Sequence, residues 1–158
     1  LKQWQNKQMQ SMKLRHRLDR PTARVQAGVA VRDLVHAMLD VSGGLAQDLG
    51  HILRASDVGA EIELGRLPVS ASLLDFYPDD KERWQLQMAG GDDYELCFTA
   101  PASNAFAIEL ALAEAGVSAS VIGLIREQKG LRCLMPDGEQ LVLQNNGYQH
   151  FRDIRHVH

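Results

Sequence analysis

Two short segments carry residue types that could do chemistry. The first is Asp40-Val41-Ser42-Gly43-Gly44-Leu45. A carboxylate leaves an apolar segment just before a serine and two glycines, which open a helical pattern. Glycines let a phosphate approach the backbone closely, and a helix N-terminus offers N–H donors and a partial positive charge. Asp40 could hold a magnesium ion that bridges phosphate oxygens. The same residues also suit a structural role, with Ser42 as an N-cap and Asp40 in a turn. The second segment is Gly90-Gly91-Asp92-Asp93-Tyr94-Glu95-Leu96. Its glycines allow an unusual backbone or a close ligand, and its carboxylates could accept bonds from a cationic or amine-bearing group. The structural alternative is a tight turn into an edge strand.

Other chemistries lack support. No Gly-x-x-x-x-Gly-Lys-Ser/Thr loop occurs, and no Gly-x-Gly-x-x-Gly follows a strand pattern. No local motif supports a Ser-His-Asp or Cys-His nucleophile. His150, His156 and His158 lie near the C-terminus, where a mobile tail is a better account than a metal site.

The elements that must position these segments are legible in the apolar pattern. Val31 to Met38 reads as a short helix running into a short apolar segment. Leu45, Leu49, Ile52 and Leu53 form the stripe of an amphipathic helix, with Gly59 at its stop. Ala60 to Leu64 alternates like a strand with one exposed face. Pro68 to Asp80 reads as a loop with one helical turn at Leu73-Leu74. Tyr94 to Thr99 is a strand, with Tyr94, Leu96 and Phe98 on one face and Cys97 on the other. Ser103 is expected to cap a helix whose stripe is Phe106, Leu110 and Ala113, with Ile108 and Leu112 alongside, and which ends at Gly116. Val117 to Ile125, apolar on both faces, reads as a central strand. Pro136-Asp137-Gly138 joins Leu131–Met135 to Leu141–Leu143 as a hairpin. The expected fold is α+β, a mixed sheet covered by two or three helices.

Composition bounds the rest. The chain has 158 residues, 45% of them apolar and 23% charged, which suits one soluble globular domain. Nothing approaches the ~18 uninterrupted apolar residues of a membrane span. The first twenty residues have no apolar signal region. Cys97 and Cys133 stand far apart, without a disulfide framework or zinc spacing, so buried free thiols in a cytoplasmic protein are expected. Net charge is −3, yet residues 1–20 hold six basic groups and one acid. That arm reads as a solvated connecting segment. A nucleic-acid contact is the rival reading, but the arm lacks interleaved aromatics. The expected divisions are an arm over 1–20, a compact domain over 21–151 and a tail over 152–158. The chain opens on Leu1 rather than methionine, as one cut from something longer would.

Taken in order, Arg20-Pro21, Arg24-Val25-x-x-Gly28, Asp40-x-Ser42-x-Gly44-Leu45, Asp48-Leu49-Gly50-His51-Ile52-Leu53, Gly90 to Leu96 and Gly147-Tyr148-x-His150-Phe151 resemble the C-terminal domain of the thiamine-monophosphate kinases. The resemblance runs from about Pro21 to Phe151. The wider superfamily holds aminoimidazole ribonucleotide synthetase, selenophosphate synthetase and a hydrogenase maturation protein. The Gly-Gly-acidic-Asp-Tyr-Glu-Leu segment points to the kinase among them.

The resemblance implies transfer of the γ-phosphoryl group of ATP to thiamine monophosphate, giving thiamine diphosphate, with Mg2+. It implies a two-domain subunit in a homodimer and an N-terminal domain carrying most metal-binding carboxylates; the composition, for its part, leads to the expectation of no nucleic-acid and no membrane partner. By position, Asp40 matches a magnesium ligand, Ser42 an ATP contact, Asp92 an acidic substrate-binding position and Tyr148 an aromatic that packs on the substrate. Two departures stand out. Gly43 replaces a second, metal-binding Asp, and Asp92 stands where Glu is commoner. With the N-terminal domain absent, the chain alone is expected to be inactive. A non-catalytic binding or regulatory domain of the same superfamily is the alternative.

Overall fold

The computed structural model describes residues 24–90 and 95–144. Helix α1 (Val25–Val31) leads to strand β1 (Ala37–Val41), helix α2 (Leu45–Ser56) and strand β2 (Gly59–Glu63). A 3-10 turn (Leu64–Arg66), helix α3 (Ala71–Phe76) and helix α4 (Asp80–Ala89) follow. Strand β3 (Glu95–Thr99), a 3-10 turn (Ala102–Asn104), helix α5 (Ala105–Glu114), strand β4 (Gly123–Arg126) and strand β5 (Gly130–Leu134) complete the order.

The α+β expectation holds, but the strands form two sheets rather than one. β1 pairs antiparallel with β3, setting Val41 opposite Glu95 and Asp40 opposite Leu96. The second sheet is mixed, in the order β4-β2-β5, with β4 antiparallel and β5 parallel to β2. The β1–β3 ribbon separates two cores. On one side Val41 and Cys97 pack with Leu49, Leu53, Ile62, Trp84 and Met88, under α2, α4 and the mixed sheet. On the other, Met38, Leu96 and Phe98 meet Ala27, Val31, Ile108 and Leu112 of α1 and α5. Alternation with period two lets one ribbon serve both cores, and Leu96, Phe98 and Cys97 divide as their spacing predicts.

Several expectations are corrected. The helix read from Val31 ends there instead, because α1 occupies Val25–Val31 and the chain extends from Ala37. α2 stops at Asp57, which adopts a left-handed conformation with φ 57° and donates its N–H to Leu53 and Arg54 carbonyls. Aspartate tolerates this region better than most residues. Gly59 serves β2: a Cβ there would lie 1.9 Å from the Gln128 carbonyl oxygen. The helical turn in the Pro68–Asp80 segment grows to the six residues of α3, capped by Ser70 Oγ, which accepts from Leu73 N–H.

Ser103 does not cap α5, whose N-cap is Asn104. The Asn104 amide instead donates to the Leu34 carbonyl at 2.8 Å, tying the start of α5 to the loop after α1. α5 buries Ile108 and Leu112, while Phe106 and Leu110 are 77% and 54% exposed. The helix is apolar nearly all round, so its contact with α1 selects the face, not its periodicity. Gly116 follows its end as expected, bonded to the Ala113 carbonyl. The Val117–Ile125 segment is not a central strand: only Gly123–Arg126 pairs, at the sheet edge. The central strand is β2, with Ala60 and Ile62 buried. The hairpin after β5 closes through Gly138 N–H on the Met135 carbonyl and a single bridge between Leu134 and Gln140. None of the helices among the described residues is long and apolar enough to cross a membrane.

Candidate functional site

The β1–α2 turn is built by strand pairing on one side and helix packing on the other. β1 brings Asp40 to its last turn-facing positions, where the residue is exposed. Val41 is buried in the core and Ser42 is half-buried. α2 is amphipathic, and Leu49, Ile52 and Leu53 anchor it. Asp48 lies on the same side of the helix and is only 7% exposed. Its Oδ2 accepts from the backbone N–H of Ser42 and of Gly43, both at 2.8 Å.

This arrangement corrects one expectation and extends another. Ser42 is not the N-cap of α2: that position belongs to Gly44, at φ 102° and ψ 145°, with no side-chain cap. The amides of Ser42 and Gly43 are not open to a phosphate, because Asp48 already takes both. The N–H groups of Leu45, Ala46 and Gln47 have no acceptor within the helix, whose first bond runs from Asp48 N to the Gly44 carbonyl at 3.0 Å.

The two segments singled out in the sequence meet here. Gly44 lies against the end of α4, so a Cβ at position 44 would sit 2.9 Å from the Ala89 carbonyl oxygen and 3.1 Å from that of Gly90. Gly90 in turn closes α4, its N–H donating to the Leu86 carbonyl at 2.6 Å. Gly91, Asp92, Asp93 and Tyr94 lie outside the described residues, as do Tyr148 and the basic arm. Beyond that gap, Glu95 opens β3 opposite Val41 and receives both Nε and Nη2 of Arg24 at 3.0 Å. The bidentate hydrogen bond, with the carboxylate charge behind it, raises the Arg24 pKa further. The pair fastens the start of α1 beside the ends of both segments.

Sequence reasoning missed Asp48, Arg24 and Glu95 as builders of this site. A signal for Asp48 existed, since an acid sits on the apolar stripe between Leu45 and Ile52. Arg24 and Glu95 stand in segments that carry the resemblance, yet nothing local shows that they pair, because strand pairing and the docking of α1 bring them together.

Gly43 is buried and lacks a side chain, but space for one is nearly present. A Cβ there would lie 2.9 Å from Gln47 Nε2 and 3.4 Å from Asp48 Oδ1. Among the described residues, no three His, Cys, Asp or Glu side chains gather as a complete metal site. Asp40 is an exposed carboxylate in this turn, and a single carboxylate could hold a hard cation only with further coordination from phosphate and water. Cys97 is buried, and burial together with the nearby Asp48 charge pushes its thiol up to about 11. Burial does the same to Cys133. Neither thiol is disposed to act as a nucleophile near neutral pH.

The comparisons bear on this geometry. A family model described as AIR synthase related protein, C-terminal domain, matches residues 4–135. The thiamine-monophosphate kinase of Escherichia coli (strain K12) is 46% identical over 134 residues, covering 84% of this chain and 40% of that protein. The crystal structure of thiamine-monophosphate kinase from Stenotrophomonas maltophilia K279a superimposes with a TM-score of 0.76 at 38% identity, covering 84% of this chain and 41% of that one. A structure of AaThiL complexed with AMPPCP and TMP superimposes with a TM-score of 0.70 at 28% identity, covering 90% of this chain and 42% of that one. The chain therefore spans about 40% of the length of the curated relatives it matches.

Proposed function

The chain belongs to the AIR synthase related protein C-terminal domain family, and we propose that it is the C-terminal part of a thiamine-monophosphate kinase. One observation carries this reading. Gly44 lies so close to the Ala89–Gly90 backbone that no Cβ fits there, so the first glycine-bearing segment adjoins the start of the second. The relatives named thiamine-monophosphate kinase and the neighbour complexed with AMPPCP and TMP support the identity of the ligands.

In this reading ATP lies along the β1–α2 turn, with Ser42 as a nucleotide contact. Asp40 supplies one carboxylate to magnesium, which when bound neutralises phosphate charge. Asp92 and Tyr148 take the cationic thiamine monophosphate, through a carboxylate and an aromatic face. Phosphoryl transfer asks little covalent work of the protein, so these residues act by alignment and by charge. The rest of the metal cluster belongs to an N-terminal domain, in a cytoplasmic homodimer. The chain's span of about 40% of its curated relatives' length supports this part of the reading.

The test joins this chain to the remaining N-terminal length of the Escherichia coli relative. A coupled assay should find ATP- and magnesium-dependent formation of thiamine diphosphate by the chimera and none by this chain alone. Asp40→Asn should remove most of the activity. A folded chimera without activity would sink the proposal, and activity of the chain alone would sink the two-domain requirement. Gly43 also favours a second reading, a non-catalytic binding domain. Nucleotide binding by the chimera without turnover would select it.

A further inference from the structure

Asp48 is a carboxylate buried to 7% exposure at the head of α2. No Lys, Arg or His pairs with it among the described residues. A buried charge is costly unless hydrogen bonds replace its lost water. Here the replacement is two consecutive backbone amides, Ser42 and Gly43, each 2.8 Å from the same oxygen. Consecutive amides converging on one anion are the arrangement by which turns hold phosphate. The protein fills that position with its own carboxylate.

The consequence reaches Ser42. Its backbone is held from α2 by Asp48, and beside it the Ala89 carbonyl leaves no room for a side chain at Gly44. The Ser42 and Gly43 amides are thus already committed to Asp48. We propose that Asp48 is a positioning residue: an internal carboxylate that occupies the two amides a ligand phosphate would otherwise take, and so sets Ser42 for its contact with nucleotide. The inference rests on the nucleotide reading above and adds a residue that does not itself touch the ligand.

The test uses the chimera and two variants. Asp48→Asn keeps an oxygen that can accept both N–H bonds, whereas Asp48→Ala keeps none. Asp48→Ala should raise KM for ATP about tenfold and leave KM for thiamine monophosphate within about twofold. Asp48→Asn should restore most of the loss. Formate, a small carboxylate, should lower KM for ATP in Asp48→Ala and leave the parent chimera unchanged. An unaltered KM for ATP in Asp48→Ala overturns the inference, as does an equal loss for both substrates with no response to formate. If Asp48→Ala fails to fold, amide exchange in this chain decides instead. The Ser42 and Gly43 N–H signals should be protected in the parent and exchange faster in Asp48→Asn, whose uncharged acceptor is weaker; unprotected signals in the parent overturn the inference. A parent chimera that binds no ATP removes both proposals, whereas an active parent with an indifferent Asp48→Ala removes only this one.

Discussion

Gly44 and Ala89 meet so closely that a methyl group at position 44 would stand 2.9 Å from the Ala89 carbonyl oxygen. The obstacle is backbone, so it cannot swing aside as a side chain can. The backbone of Gly44 also has φ 102°, a region nearly closed to other residues. Both constraints act together on Gly44→Ala. The substitution should destabilise the domain by at least about 2 kcal/mol, read from urea unfolding. A loss within about 0.5 kcal/mol would show that the turn does not need this contact.

Position 43 behaves differently. The nearest atom to a new Cβ is the end of the Gln47 side chain, at 2.9 Å, and the backbone carries no positive φ. Gln47 can rotate away, but the new carboxylate would face the buried Asp48, so Gly43→Asp should cost about 1–3 kcal/mol without magnesium and less with it. In the chimera it should lower the magnesium concentration needed for half-maximal rate and raise that rate. An unchanged magnesium profile would show that Gly43 leaves no gap in the site.

The Arg24–Glu95 pair is bidentate but half open to solvent, with side chains 31% and 42% exposed. Screening by water limits its worth. A double-mutant cycle with Arg24→Ala and Glu95→Ala should give a coupling of about 1 kcal/mol or less, shrinking with added salt. Coupling insensitive to salt would mean that the pair acts through packing rather than charge.

The buried thiols predict a pH effect in the alkaline range. Folding raises both Cys97 and Cys133 from an ordinary 9.0 to about 11, chiefly by burial. A raised folded pKa gives stability that is complete below pH ~9 and is lost as pH rises toward ~11. Thermal melts between those limits should fall less steeply for Cys97→Ala than for the parent. Iodoacetamide at pH 8 should label neither thiol until the chain is unfolded. Rapid labelling of the native chain would show that the thiols are open.

A fifth expectation concerns Glu61, which binds Arg126 of β4 at 2.6 Å and Arg132 of β5 at 2.8 Å. The hydrogen bond from Arg126 leads the forces that hold its carboxyl below the ordinary range. Glu61→Gln should leave two like charges across the central strand and lower the melting temperature more in dilute buffer than in salt. Equal losses in both would exclude a charge effect.

Sequence alone determined which residues form the stripe of α2, the two faces of β3 and the glycine-rich turn after β1, because period and composition are local properties. It placed Ser42 and Asp40 on one turn, and it marked Gly90 as a break. It could not show that Asp48 closes the Ser42 and Gly43 amides, nor that Gly44 rests on Ala89. Nor could it show that β2, not the segment before Ile125, is the central strand. Those outcomes depend on how helices dock and strands pair across long separations. α5 makes the point most simply: its apolar residues lie all round, and only the neighbour α1 decided that Ile108 and Leu112 face inward while Phe106 and Leu110 face water. Tertiary packing chose among faces that local pattern left equal, since burial is a property of the assembled surfaces.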